Sequence, residues 1–382
     1  MLAIQLLLSC ATSFQSTAAA APDPRASYDV LAYRLDLDVD PAHQRIAGWS
    51  FVEARALAPL DSVVLDMQAT LTAHEVRYEG DSLAPRETAR GALLAFTHDG
   101  DRLVCTLPAR LDAGRSFVVA VKYDGHPGPR NSFDGVHWNK TADGRPWIGT
   151  SSQGTGAAYW WPCKDSFFHP EDKPARLFVN ATVPADLYAV SNGRLQAIED
   201  AGDARRTFRW RHDYPLETYA VTLNVAPYVV VESKLELVGL TAPLDFIYYV
   251  LPESAAKAAV QFADVPRLLE TYGEAFGPFP FPGSKFALVE TSFWGMEHST
   301  AVAYGSSFPA WCRQNGVKDR YALRNTYFDY ILVHEVAHEW WGNAVSAADW
   351  GDFWIHEGFG TYAEGVFVER TQGRERADEY WR

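Results

Sequence analysis

Cysteine is scarce in this chain, with four among 382 residues at positions 10, 105, 163 and 312. Cys10 falls in the N-terminal apolar stretch, so three remain, enough for one intramolecular disulfide at most. No C-x-x-C pair occurs, and a disulfide scaffold is excluded. Basic residues are in deficit: 34 Lys and Arg stand against 48 Asp and Glu, for a net charge of −14. That balance argues against nucleic acid as a partner, because neutralising a phosphate backbone takes clustered Lys and Arg. After the N-terminus no apolar run reaches the roughly 18 residues of a membrane-spanning helix, so no transmembrane span is expected. Internal repeats and low-complexity linkers are also missing. What is present is globular composition, 47% hydrophobic and 21% charged, which excludes wholesale disorder. At roughly 100–200 residues per domain, the length predicts two or three domains.

Residues 1–20 read as an export signal: Leu2 to Leu8 are apolar and Ala18 to Ala21 offer small residues for cleavage, although the leading segment carries no Lys or Arg. Leu7-Leu8-Ser9-Cys10 also has the form of a bacterial lipobox, which makes Cys10 a lipid-anchor candidate. Either reading places the protein outside the cytoplasm: periplasmic, outer-membrane-associated or extracellular.

From Tyr28 to Tyr228 the chain reads as strands. Tyr33 to Val39 alternates apolar and polar residues with period two, and Phe117–Val121 and Leu216–Val225 are similar. Turn signals such as Asp99-Gly100, Asp124-Gly125 and Asn192-Gly193 recur between them. After residue 252 the texture changes. Ser254–Phe276, Tyr321–Trp341 and Phe353–Glu369 carry helical spacing, and Phe286–Val289 is a predicted strand. The expected fold class is α+β and multidomain, with a large antiparallel β domain at 26–232 and an α+β domain at 233–382.

The chemistry concentrates in His334-Glu335-Val336-Ala337-His338. Residues i and i+4 share a helix face, so both imidazoles can bind one metal ion, with Glu335 in reach of a water on that ion. Two spare histidines on a solvated face would be the bland explanation. The apolar turn Ile331-Leu332-Val333 points instead to a buried helix, where histidines need partners. A third ligand is required, and Glu357 lies 19 residues after His338, enough for a helix end, a loop and a return. Two imidazoles and a carboxylate suit Zn²⁺. Glu364, seven residues on, is either an acceptor behind a ligating histidine or a plain surface carboxylate. Trp160, Trp161, Trp340, Trp341 and Trp354 flank these motifs; most are expected to pack the core, though such rings can also line a cleft.

The order and spacing of these motifs resemble the aminopeptidase N-like gluzincins, zinc metallopeptidases in which H-E-x-x-H is followed after eighteen residues by a ligating Glu. Val333 to Asn343 and Trp354 to Phe359 fit that pattern, and Trp294-Gly295-Met296-Glu297-His298 is similar to the family's exopeptidase motif G-x-M-E-N. Gln153, ten residues before Cys163 in Trp160-Trp161-Pro162-Cys163-Lys164-Asp165, matches the substrate-amine loop. The likeness runs from Tyr28 to the end of the chain. It implies a thermolysin-like catalytic domain and one Zn²⁺ per chain on His334, His338 and Glu357. It further implies Glu335 as general base and a substrate-binding set of Glu297, Gln153, Gly295 and Met296 for peptides with a free N-terminal amine.

Trp294, His298 and His356 depart from the family's usual Gly, Asn and Asn. The family also supplies a catalytic Tyr several dozen residues beyond the third ligand and then a helical domain, whereas this sequence stops 25 residues past Glu357. The expectation is therefore a fragment of a longer enzyme, weak or inactive alone; by position neither Tyr304 nor Tyr362 replaces that Tyr. Two rivals are a non-catalytic zinc-containing peptide-binding protein and a zinc endopeptidase. The intact Glu335 opposes the first, and the amine-binding residues oppose the second. Some relatives also hydrolyse a lipid epoxide, and nothing in the sequence marks that activity.

Overall fold

A computed structural model describes residues 23–83, 89–316 and 328–382. The expected export signal and Cys10 lie outside the described residues, as do 321–327 of the second expected helix. The N-terminal half is built on an eight-stranded sheet whose spatial order is 194–202, 205–212, 176–184, 28–40, 45–56, 116–125, 71–78, 92–93. Its pairings are antiparallel except one: Tyr28–Asp40 runs parallel to Arg176–Pro184. A four-stranded sheet (188–191, 223–226, 146–151, 135–140) and a three-stranded one (60–66, 102–111, 96–99) complete this β half. The alternation read at Tyr33–Val39 is carried by the sheet pleat, with Tyr33, Leu35, Leu37 and Val39 all in the core. The strand expected over Leu216–Val225 is shorter. Thr218–Ala220 forms a 3₁₀ turn and only Leu223–Ala226 pairs, because Tyr219 leaves the sheet to point its hydroxyl toward the site.

The second half pairs Val229–Leu235, Leu244–Val250, Lys285–Val289 and Val302–Ala303 in one sheet. Helices pack against it: α1 (Ala255–Gln261), α2 (Val265–Phe276), α3 (Pro309–Gln314), α4 (Tyr330–Ala337), α5 (Trp354–Gln372) and α6 (Arg374–Tyr380). The helix expected over Ser254–Phe276 is divided by a 3₁₀ turn at Phe262–Asp264, just before Pro266, whose ring has no N–H to give. The helix expected over Tyr321–Trp341 begins, among the described residues, at Tyr330. Asp329 caps it, its carboxylate accepting the Leu332 N–H.

Two apolar cores result, and the segment 293–303 sits on the boundary. Phe293, Met296, Ala301 and Ala303 pack into the core of the β half, whereas Val302 and Tyr304 join the core that buries α4. Polar contacts stitch the same seam. Asn192 Nδ2 donates to the Ser299 carbonyl at 2.8 Å, the Gly193 N–H to Thr300 Oγ1 at 2.8 Å, and the Thr300 N–H to Glu339 Oε1 at 2.7 Å. The buried Lys285 ammonium donates to the Ser191 and Gly193 carbonyls. Cys105 and Cys163 are buried free thiols.

Candidate active site

Helix α4 puts His334 and His338 on one face, and α5 returns Glu357 to meet them. One donor atom from each lies within 4.8 Å of the other two. The two Nε2 atoms are 3.2 Å apart, and Glu357 Oε2 is 3.4 Å from His334 Nε2. Both Nδ1 atoms are already engaged: His334 with Glu364 Oε1 at 2.7 Å and His338 with the Trp341 carbonyl at 2.8 Å. Since those partners are acceptors, the protons belong on Nδ1, and the Nε2 lone pairs face one another and a carboxylate. A cation or a shared proton must neutralise that arrangement. Burial alone would lower the His334 pKa, but Glu357 and Glu364 outweigh it and hold it well above the usual histidine range. Burial raises Glu357 and the two histidines outweigh that as well, leaving it at about 2. The N₂O donor set, the convergence and the acceptors behind each imidazole fit a zinc ion, which His334, His338 and Glu357 would hold.

Glu335 is buried beside the ligands, and burial pushes its pKa well above the ordinary carboxylate value, helped by Glu297, Glu357 and Glu364 and opposed by His334. Its carboxylate lies against the backbone of Gly295, where an added Cβ would come within 2.3 Å of Oε1. Met296 is fully buried in the β core and exchanges two backbone hydrogen bonds with Ala303; its part in the site is to hold the loop's backbone. Glu297 is buried, and burial raises its pKa. Gln153 Nε2 donates to Glu297 Oε1 at 2.5 Å and reaches Glu357 Oε1 at 3.4 Å. The residues expected from the sequence therefore come to one place except for the Met296 side chain, which is packed into the β core and cannot face a substrate, and Glu364 stands buried behind His334 rather than on the surface.

Three neighbours were not singled out from the sequence. Tyr219 donates to Glu297 Oε1 at 3.1 Å, Tyr380 donates to Glu364 Oε2, and Tyr330 stacks on the His334 ring at 5.3 Å. Tyr219 and Tyr380 are brought in by tertiary packing from outside the motifs, where no spacing rule could find them, whereas Tyr330 lies one turn before His334 on α4, at the same i, i+4 spacing that pairs the histidines. Of the tyrosines set aside by position, Tyr304 is buried and donates to Asp329, and Tyr362 stacks on Trp381 at the surface. Trp160, Trp161 and Trp340 are core residues, while Trp294 and Trp354 are exposed.

Comparison with known proteins gives a consistent result. The model of the peptidase M1 N-terminal domain matches residues 29–220, and that of the peptidase family M1 domain matches 261–382. Leukotriene A-4 hydrolase of Xenopus laevis is 24% identical over 91% of this chain and 53% of its own length. Aminopeptidase B of Mus musculus is 26% identical over 92% and 52%. The chain thus spans about half the length of these curated relatives. An M1 zinc metallopeptidase structure from Deinococcus radiodurans shares the fold with a TM-score of 0.73 at 23% identity, over 93% of this chain and 74% of that one.

Proposed function

The chain belongs to peptidase family M1, and from that membership and the site we propose that it is a zinc-dependent aminopeptidase, with one Zn²⁺ held by His334, His338 and Glu357. The observation that carries this reading is the Gln153 side chain, whose amide spans from Glu297 to Glu357. One side chain's width separates an amine-binding carboxylate from a metal ligand, so a peptide held by its terminal ammonium presents its first peptide bond to the metal. An endopeptidase has no use for a buried carboxylate at that distance.

When bound, zinc acts as a Lewis acid on the scissile carbonyl and brings the pKa of an attacking water toward about 7. Glu335, fixed against Gly295, takes that water's proton and returns it to the leaving amine. Glu297 and Gln153 hold the substrate ammonium; a charge-assisted hydrogen bond of this kind contributes about 1.5–3 kcal/mol. Acetylating the amine removes the charge and adds bulk. Glu364 and the Trp341 carbonyl keep the imidazoles in the tautomer that leaves Nε2 for the metal.

Glu335→Gln tests the assignment. We expect about one zinc per chain by elemental analysis and turnover of aminoacyl-p-nitroanilides lowered by about 10²–10⁴-fold. Turnover in the variant equal to that of a parent with measurable activity removes Glu335 from the mechanism, and a folded parent without zinc removes the metal. We also read residues 1–20 as an export signal, with Cys10 as the alternative lipid anchor; the mass of the mature N-terminus in the native host decides between them.

A further inference from the structure

His356 and Tyr219 form a hydrogen-bond relay into the amine anchor. His356 is fully buried at the start of α5, one residue before Glu357. Its Nε2 lies 3.0 Å from the Ala347 backbone N–H, a donor with no alternative role, so Nε2 is the acceptor. In a neutral imidazole the proton then sits on Nδ1, which is 3.1 Å from the Tyr219 hydroxyl oxygen. A phenol oxygen that accepts from Nδ1–H turns its own single proton outward, and Tyr219 directs it to Glu297 Oε1 at 3.1 Å. Gln153 donates to the same oxygen at 2.5 Å. Two donors therefore converge on Oε1, fix the carboxylate plane and leave Oε2 for the substrate ammonium. Tyr219 is itself fully buried, so no water competes for its hydroxyl, and its ring lies nearly parallel to the His356 imidazole, 29° apart.

We infer that Tyr219, oriented by the Nδ1–H of His356, is a positioning residue for Glu297 and so sets the preference for substrates with a free α-amine. His356 stands where Asn is usual in the resemblance, and in this chain its second nitrogen also anchors the loop at Ala347, tying the third metal ligand's helix to the amine pocket. This rests on the aminopeptidase reading of the site, specifically on Glu297 as the amine anchor. The relay does not require Glu335 or turnover, which separates the two in experiment.

The test uses the full zinc-loaded chain carrying Glu335→Gln so that peptide is not consumed. The probes are Leu-Gly, Ala-Gly, Phe-Gly and Arg-Gly with their N-acetyl forms, and affinity is measured by calorimetry. The parent should bind the best free dipeptide at least tenfold more tightly than its acetylated form. Tyr219→Phe, which removes only the hydroxyl, should reduce that ratio about tenfold, the scale of one hydrogen bond to a charged group, with zinc per chain unchanged. His356→Ala should lower the ratio similarly, and His356→Gln, which keeps an amide donor and acceptor, should restore part of it. A ratio unaltered by Tyr219→Phe overturns the inference, as does a loss that merely tracks zinc occupancy. Free-amine preference without any turnover in the Glu335 parent would refute hydrolysis and leave the relay standing. Equal binding of free and acetylated peptides in the parent would overturn both the amine anchor and the relay.

Discussion

At Gly295 the absence of one methyl group decides where Glu335, the proposed general base, can sit. An ideal Cβ there would lie 2.3 Å from Glu335 Oε1 and 2.7 Å from its Cδ and Cγ. The carboxylate would have to move, because the Met296 backbone next to it is locked to Ala303. Gly295→Ala is therefore expected to keep zinc and the fold but to lower kcat by about 10²-fold, the cost of displacing a catalytic group by about 1 Å. Zinc analysis alongside steady-state kinetics checks it, and wild-type kcat in the variant would refute the packing argument. The convergence of His334 and His338 was legible from spacing because i, i+4 pairing is a property of the helix itself. Glu364 was ambiguous in sequence because its helix face could have met either solvent or His334; the docking of α5 on α4 settles it.

Helix α4 carries His334, ends on its C-cap His338 and is only eight residues long, so its stability comes from its ends and its burial rather than from length. Asp329 does three jobs at its start. Oδ1 caps the Leu332 N–H, and Oδ2 accepts from Gln261 of α1 at 2.8 Å and from the Tyr304 hydroxyl at 2.5 Å. Asp329→Ala removes the cap and orphans two buried donors. A loss of about 2–4 kcal/mol in urea unfolding is expected, from roughly 1 kcal/mol for the cap and 1–3 for unsatisfied donors. Asp329→Asn, which keeps an acceptor, should cost less than half as much; equal losses would show that charge rather than hydrogen bonding matters there. The apolar run before His334 revealed that this helix is buried. Its start did not show in the periodicity, because Asp329 is defined by partners in α1 and at Tyr304.

At the scale of the whole molecule, the seam between the two cores carries buried charge. Glu217, at the end of the β half, is buried with Lys173 Nζ 3.8 Å away and His356 Nε2 at 3.9 Å. Burial raises its pKa to about 8, only partly opposed by Lys173. The folded protein therefore holds this proton where the unfolded chain, near 4.5, releases it. Glu217 thus contributes stability that is complete below about pH 4.5 and is lost as the pH rises through about 8. Glu217→Gln, uncharged at every pH, should flatten that loss by an amount on the order of a few kcal/mol. Urea unfolding of parent and variant at pH 5 and pH 8 measures it; parallel pH dependence in the two proteins would assign the effect elsewhere. The sequence by itself determined the strand-to-helix order, the α+β class and the pairing of His334 with His338. Pleat alternation and helical i, i+4 geometry are local and are written in consecutive residues. The tertiary structure alone decided what surrounds these residues: Tyr219 and Glu217 from the β half, and Tyr380 beyond Glu357, gathered where two cores meet. Tyr219 meets His356 across 137 positions, and no period in a sequence encodes a pairing that only the meeting of two cores creates.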